Sequence, residues 1–191
     1  MRLLISLEQI TEKYLLLINA RVSGENIMKN PDIILRPIKE QDNRGIAELI
    51  RAVFREFKID RPGTVYFDPS TDDLYRLFKR DGCIYWIALE DSKIIGGCGI
   101  YATPLLPENC AELVKLYLLP EKRGKGIGRM LMEKSFESAR QLGYIQLYLE
   151  SMPELEKALS LYERAGFKYI PVPLGNSGHF GCNIWMIKEL Y

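Results

Sequence analysis

Glycines at positions 124, 126 and 128 alternate with Lys125 and Ile127 in a short basic turn. The turn follows an apolar, strand-like segment (111–119) and Pro120, and a helical run begins almost at once. Glycine lets a backbone approach a ligand closely and adopt positive φ. Amides at the start of a helix converge on one point, at the positive end of its dipole. Lys122, Arg123, Lys125 and Arg129 place cations around that point. Residue types and spacing together predict a phosphate cradle.

Two other glycine loops fit less well. A P-loop needs Gly-x-x-x-x-Gly-Lys-Ser/Thr, and no such string occurs. The dinucleotide fingerprint Gly-x-Gly-x-x-Gly fails on spacing, and the segment 143–150 offers only Glu150 as the acidic residue that a ribose would require.

The string Arg123-Gly-Lys-Gly-Ile-Gly128 resembles the Gln/Arg-x-x-Gly-x-Gly/Ala signature of the GNAT superfamily, the GCN5-related N-acetyltransferases. Farther along, Ala158-Leu-Ser-Leu-Tyr162-Glu-Arg-Ala-Gly166-Phe167 is similar to that family's Ala-x-x-Leu-Tyr-x-x-x-Gly-Phe block at every anchor position. The resemblance covers roughly residues 33 to 190. It implies an acetyl-CoA-dependent N-acetyltransferase that moves an acetyl group to a primary amine by direct attack in a ternary complex. An acyl-CoA-binding sensor, or a GNAT module without turnover, is the alternative. Acetyl-CoA would be the co-substrate, with its pyrophosphate in the cradle formed by Arg123, Gly124, Lys125, Gly126, Ile127, Gly128 and Arg129. No metal is required.

The resemblance also assigns roles. The exposed backbone of Leu116, Tyr117 and Leu118 would pair with the pantetheine arm and offer an amide to the thioester oxygen. Tyr162 matches the tyrosine commonly placed beside the cofactor sulfur; its hydroxyl, with a reference pKa near 10, can donate to a thiolate whose thiol titrates near 8.5. Glu112 lies where some members place a catalytic glutamate, and a carboxylate facing an amine of pKa near 10.4 needs burial or a water relay to act as base. Glu150 and His179 are the other candidate bases. Cys182, three residues beyond His179, raises a ping-pong route through an acetyl-cysteine. One departure from the family pattern is Leu155, where many members carry an asparagine that touches the cofactor.

Acceptor pockets in this fold are built from the first two helices, the loop between them and the last hairpin. Here those segments supply Phe54, Phe57, Tyr66 and His179 as substrate contacts, together with Phe67, Phe180 and both signs of charge. Arg51, Arg55 or Arg61 would suit a carboxylate, whereas Glu56 or Asp68 would suit a polyamine. A small-molecule amine is the expected acceptor.

The elements that must position these residues follow from periodicity. Strands are expected at 33–37, 84–90, 93–101, 111–119, 145–150, 167–172 and 182–190. Helices are expected at 42–57, 72–80 (capped by Ser70 or Thr71), after the cradle up to Gly143, and from Pro153 to Gly166. The Gly96-Gly97 pair suggests a bulge or a close backbone approach. The order implies an α/β (α+β) GNAT fold: a single mixed, mostly antiparallel sheet of about seven strands flanked by about four helices. Residues 1–30 read as an N-terminal extension, either an accessory helix or an upstream stretch without function, ahead of a GNAT domain at 31–191.

Composition sets the outer bounds. The chain has 191 residues, 47% apolar and 27% charged, with a net charge of +1. That balance points away from a nucleic-acid surface or a polybasic membrane patch. Four cysteines without metal-ligand spacing and a single histidine argue against a zinc site. A reducing cytoplasm is the expected location. A homodimer through terminal strands is an arrangement common in the resembled family.

Overall fold

The computed structural model describes residues 33–191; the expected extension at 1–30 lies outside them. Among the described residues, seven strands form one sheet in the order β1-β2-β3-β4-β5-β7-β6. The strands are β1 (Ile33–Pro37), β2 (Ile84–Glu90), β3 (Lys93–Tyr101), β4 (Cys110–Leu118), β5 (Gln146–Ser151), β6 (Lys168–Ile170) and β7 (Ile184–Glu189). Every pairing is antiparallel except β4 with β5. Among the described residues, four α-helices flank the sheet: α1 (Asn43–Glu56), α2 (Leu74–Leu77), α3 (Ile127–Gln141) and α4 (Glu156–Arg164).

The sheet has a hydrophobic cluster on each face. Ile46, Ile50, Val53 and Phe54 of α1 repeat at helical spacing and pack with Leu74, Phe78, Tyr85 and Ile87. Leu131, Met132, Phe136 and Ala139 of α3 do the same with Ile100, Leu113, Leu147 and Tyr162. Leu142, one residue past the end of α3 at Gln141, is 44% exposed.

Two expected elements are shorter in the structure. Of the helix foreseen at 72–80 only Leu74–Leu77, the single α-turn of α2, is α-helical; Asp72 and Asp73 close the 3₁₀ turn Pro69–Asp73 that precedes it. The caps are Asp68, which accepts from the Ser70 amide, and Asp73, which accepts from Arg76, rather than Ser70 or Thr71. Strand β6 stops at Ile170, where Pro171 and Pro173 can donate no ladder hydrogen bond.

The middle of the sheet carries the irregularity that matters. Between β3 and β4 the register shifts so that Gly97 faces Tyr117 while Gly99 faces Val114. One residue of β3 thus opposes two of β4, a β-bulge, and Lys115 sits in it with φ of 52°. The Tyr85 hydroxyl donates to the Lys115 carbonyl at 2.8 Å and holds the bulge. A Cβ on Gly96 would lie 2.6 Å from the Tyr117 carbonyl oxygen, so β3 and β4 approach here as only glycine allows. Already before the bulge β4 leaves β5: the two are paired only over Cys110–Glu112 against Gln146–Tyr148. A V-shaped gap opens at the centre of the sheet.

Candidate active site

The cradle lies where the gap meets α3. Gly124 and Gly126 have φ of 74° and 80°, and a Cβ on either would meet nothing within 4 Å. The turn therefore needs glycine for its backbone conformation and presents open space above it. Gly126 is the N-cap of α3, so the first amides of that helix face the same space.

The side chains around the cradle are more committed than their sequence suggested. Arg123 donates two hydrogen bonds to the Glu56 carboxylate at 2.6 and 2.7 Å and one to the Leu118 carbonyl at 3.1 Å. Its guanidinium also stacks on Phe57. Lys122 pairs with Glu90 and Arg129 with Glu133 at 2.6 Å. Arg123 consequently fastens the cradle to the end of α1, and the amides, with exposed Lys125 beside them, make up its face.

The gap between β4 and β5 is lined by Glu112, Leu116, Tyr117, Tyr162, His179 and Cys182 among others. Tyr162, on α4, is 8% exposed and packs edge-on against Phe167. Burial raises its hydroxyl well above the usual tyrosine value, so the phenol keeps its proton, and no described residue accepts from it. Cys182 is likewise pushed up to about 12 by burial and by Glu150 and Glu112. The raised value keeps it a thiol at neutral pH, which weighs against the acetyl-cysteine route.

Glu112 is 4% exposed. Burial pushes its carboxyl up to about 7, with Glu150 adding to the shift and the Thr103 hydroxyl, His179 and Lys115 opposing it. Thr103 Oγ1 donates to Glu112 Oε2; the other oxygen has no protein partner among the described residues. Glu150 is differently placed, since it accepts from the Tyr148 hydroxyl at 2.9 Å and the Ser177 hydroxyl at 2.8 Å. That second bond matters for His179. The His179 amide donates to Ser177 Oγ at 3.1 Å, and Asn176 and Gly181 donate to the carbonyls of Pro104 and Gly63. The loop before β7 is thereby pinned over the gap.

A second cavity, of about 320 Å³, adjoins the gap and is lined by Glu112, Val114, Lys115 and His179 as well as by Asp68 and Tyr101. Glu112 stands in the wall common to both spaces. Of the expected substrate contacts, Phe54 and His179 border the gap. Phe57 lies under Arg123, and Tyr66 packs on Phe54 and Phe67. Arg51 is held by Asp72 at 2.6 Å and Arg61 by Glu154 at 3.1 Å. Sequence reasoning passed over Thr103 and Lys115. Thr103 carried no motif, but a lysine within an otherwise apolar strand was a visible signal.

A model of the acetyltransferase (GNAT) family matches residues 46–167, through the cradle and both signature blocks. The chain belongs to that family. With this membership it joins the N-acetyltransferases, as do its relatives by name. An uncharacterized N-acetyltransferase of Escherichia coli K12, YjgM, is 36% identical over 158 residues, covering 82% of this chain and 95% of the relative. Among solved structures, an acetyltransferase from Streptococcus agalactiae superposes with a TM-score of 0.73 at 19% identity, covering 83% of this chain and 98% of that one. The PaiA N-acetyltransferase from Thermoplasma acidophilum, solved in complex with coenzyme A, gives 0.65 at 21% identity over 82% of this chain and 98% of that one. These likenesses establish the GNAT fold for the sheet and its four helices.

Proposed function

We propose that this N-acetyltransferase uses acetyl-CoA to acetylate the primary amine of a small molecule, by direct attack while both substrates are bound. The observation that carries the reading is the position of Glu112, buried in the wall shared by the gap and the adjoining cavity. The cradle fits a diphosphate: it is open above Gly124 and Gly126, where an added Cβ would meet nothing within 4 Å, and it ends on the first amides of a helix. The binding of coenzyme A by the Thermoplasma protein supports the same cofactor here. When bound, acetyl-CoA supplies an acetyl group activated as a thioester.

The chain's own residues supply the rest. The amides of Gly126 and the first turn of α3 hold the diphosphate. The edge of β4 at Leu116, Tyr117 and Leu118, unpaired with β5, offers backbone groups to an extended arm. Glu112, with a carboxyl that titrates near 7, takes the proton of the acceptor ammonium, and Thr103 fixes which of its oxygens is free. Tyr162, protonated and buried, donates its O–H to the leaving sulfur. The protonated Cys182 supports direct transfer as the route. A cavity of about 320 Å³ sits at the small end of ligand sites, roughly 300–1,000 Å³, which favours a small acceptor over a protein surface. Four free thiols support a reducing compartment such as the cytoplasm. Among the described residues no helix is long and apolar enough to cross a membrane.

Thermal melting tests the cofactor first. Acetyl-CoA and CoA at 100 times their dissociation constants stabilise the fold by about 2.7 kcal/mol, whereas NADH and ATP leave it unchanged. Thiol release then follows in a screen of primary amines. Stabilisation with no thiol release from any amine would move the protein to the acyl-CoA sensor reading, and stabilisation by a nucleotide alone would sink both.

A further inference from the structure

The cavity beside the gap has a mixed lining. Glu112, Lys115 and His179 are among its polar residues, and Leu77, Phe78 and Tyr101 among its apolar and aromatic ones. Lys115 is the only lysine or arginine among its lining residues. Successive strand residues normally point to opposite faces, but the bulge breaks that alternation, and Val114 and Lys115 both border the same space.

Lys115 is 8% exposed, and its ammonium has three donors to satisfy. The structure gives it one acceptor, Asp68 Oδ2, at 3.5 Å, well beyond the roughly 2.7–2.9 Å of a good charged hydrogen bond. Asp68 is itself shared: it accepts from the Ser70 amide and hydroxyl and lies 3.3 Å from His179 Nε2. Burial raises the Asp68 carboxyl, yet His179, Ser70 and Lys115 together outweigh it and hold it well below the usual range. A buried cation with one loose partner is costly, and here it looks onto a cavity with room for a second acceptor.

We infer that the acceptor is a small amino carboxylate whose amine meets Glu112, whose carboxylate meets Lys115, and whose uncharged side chain lies against Leu77, Phe78 and Tyr101. Glu112 and Lys115 are three residues apart on one strand, about 10 Å at most between their Cα atoms, so converging side chains span the two ends of one amino acid. The cations first suited to a carboxylate by sequence, Arg51 and Arg61, are already paired with Asp72 and Glu154. This inference rests on the acetyl-transfer reading.

The test compares leucine, methionine and phenylalanine with their methyl esters and with spermidine, on the full chain. Two readouts are taken: melting in the presence of CoA, and thiol release from acetyl-CoA. The free acids stabilise the protein and are acetylated, and the esters lose about 10- to 100-fold in kcat/KM, the range of one charged hydrogen bond. Lys115→Met brings the acid-to-ester ratio of kcat/KM close to one, whatever smaller loss both share through the charge that Lys115 places near Glu112. Esters equal to acids, a preference for spermidine, or stabilisation by no acid would each overturn the inference while acetyl transfer could still stand. An equal loss for acids and esters in Lys115→Met would give the lysine a structural role alone, and overturns it too. Should that variant fail to fold, acid against ester on the unaltered protein still decides. An acid that stabilises the protein but releases no thiol would keep the carboxylate site and remove the transferase reading.

Discussion

At the scale of single residues, Glu112 and Tyr162 make opposite demands on their surroundings. As the proposed base, Glu112 must lose a proton to act, and burial opposes that loss. Its carboxyl titrates near 7 in the fold against an ordinary 4.5, so between those values the folded protein binds more protons than the unfolded chain. Stability therefore falls as pH rises from about 4.5 to about 7, by on the order of 3 kcal/mol in all. Glu112→Gln keeps the Thr103 hydrogen bond and removes the penalty. Urea unfolding should find this variant more stable than the parent at pH 8 by up to about 3 kcal/mol, with the gap closing by pH 4. The same substitution abolishes the acid limb near pH 7 in kcat/KM; a limb that survives would give the base role to another group. Tyr162 must keep its proton, and burial ensures it. Its hydroxyl has no protein acceptor among the described residues, so Tyr162→Phe should change stability by less than about 0.5 kcal/mol. Its kcat should fall about 100-fold, the lower range for a positioned acid, with KM for acetyl-CoA unchanged. Thiol-release kinetics beside a melting curve separate these effects.

At the scale of elements, the turn between β4 and α3 is the proposed diphosphate site, and its backbone carries the proposal. Gly126 holds φ of 80°, and a Cβ added there would have open space around it, so Gly126→Ala meets strain but no clash. Alanine in that conformation costs roughly 1–2 kcal/mol, and its methyl group projects into the space that the amides face. The variant should be less stable by that amount and lose most of the stabilisation given by CoA. A normal CoA response would place the diphosphate elsewhere. Element boundaries were legible wherever local chemistry governs them. Strands β1, β2 and β3 fall where alternation and the Asp91-Ser92 turn put them, and both turn residues take positive φ. The helix expected at 72–80 was less legible: Asp68 and Asp73 compete for backbone amides and divide it into a 3₁₀ turn and a single α-turn. Strand β6 ended early because two prolines follow it within three residues.

At the scale of the whole molecule, the proposed active site is a fault in the sheet. Strands β4 and β5 pair for three residues and then part, and the resulting gap brings Glu112 from the central strand, Tyr162 from a helix over one face, and His179 from a distant loop to one place. Short-range pattern determined much of this protein: the amphipathic helices, the alternating strands, the glycines of the cradle and the two blocks that carry the family likeness. Those features arise from residues within a few positions of one another, and sequence displays such neighbours directly. The bulge at Lys115 was hidden, because segment 111–119 reads as one continuous strand until its register against β3 is known. The pairing of Arg51, Arg61 and Arg123 with acids from other elements was hidden for the same reason. Only the tertiary structure decided which charges are spent on one another and that Glu112 and Lys115 face one cavity, since burial and long-range pairing depend on what the fold brings together.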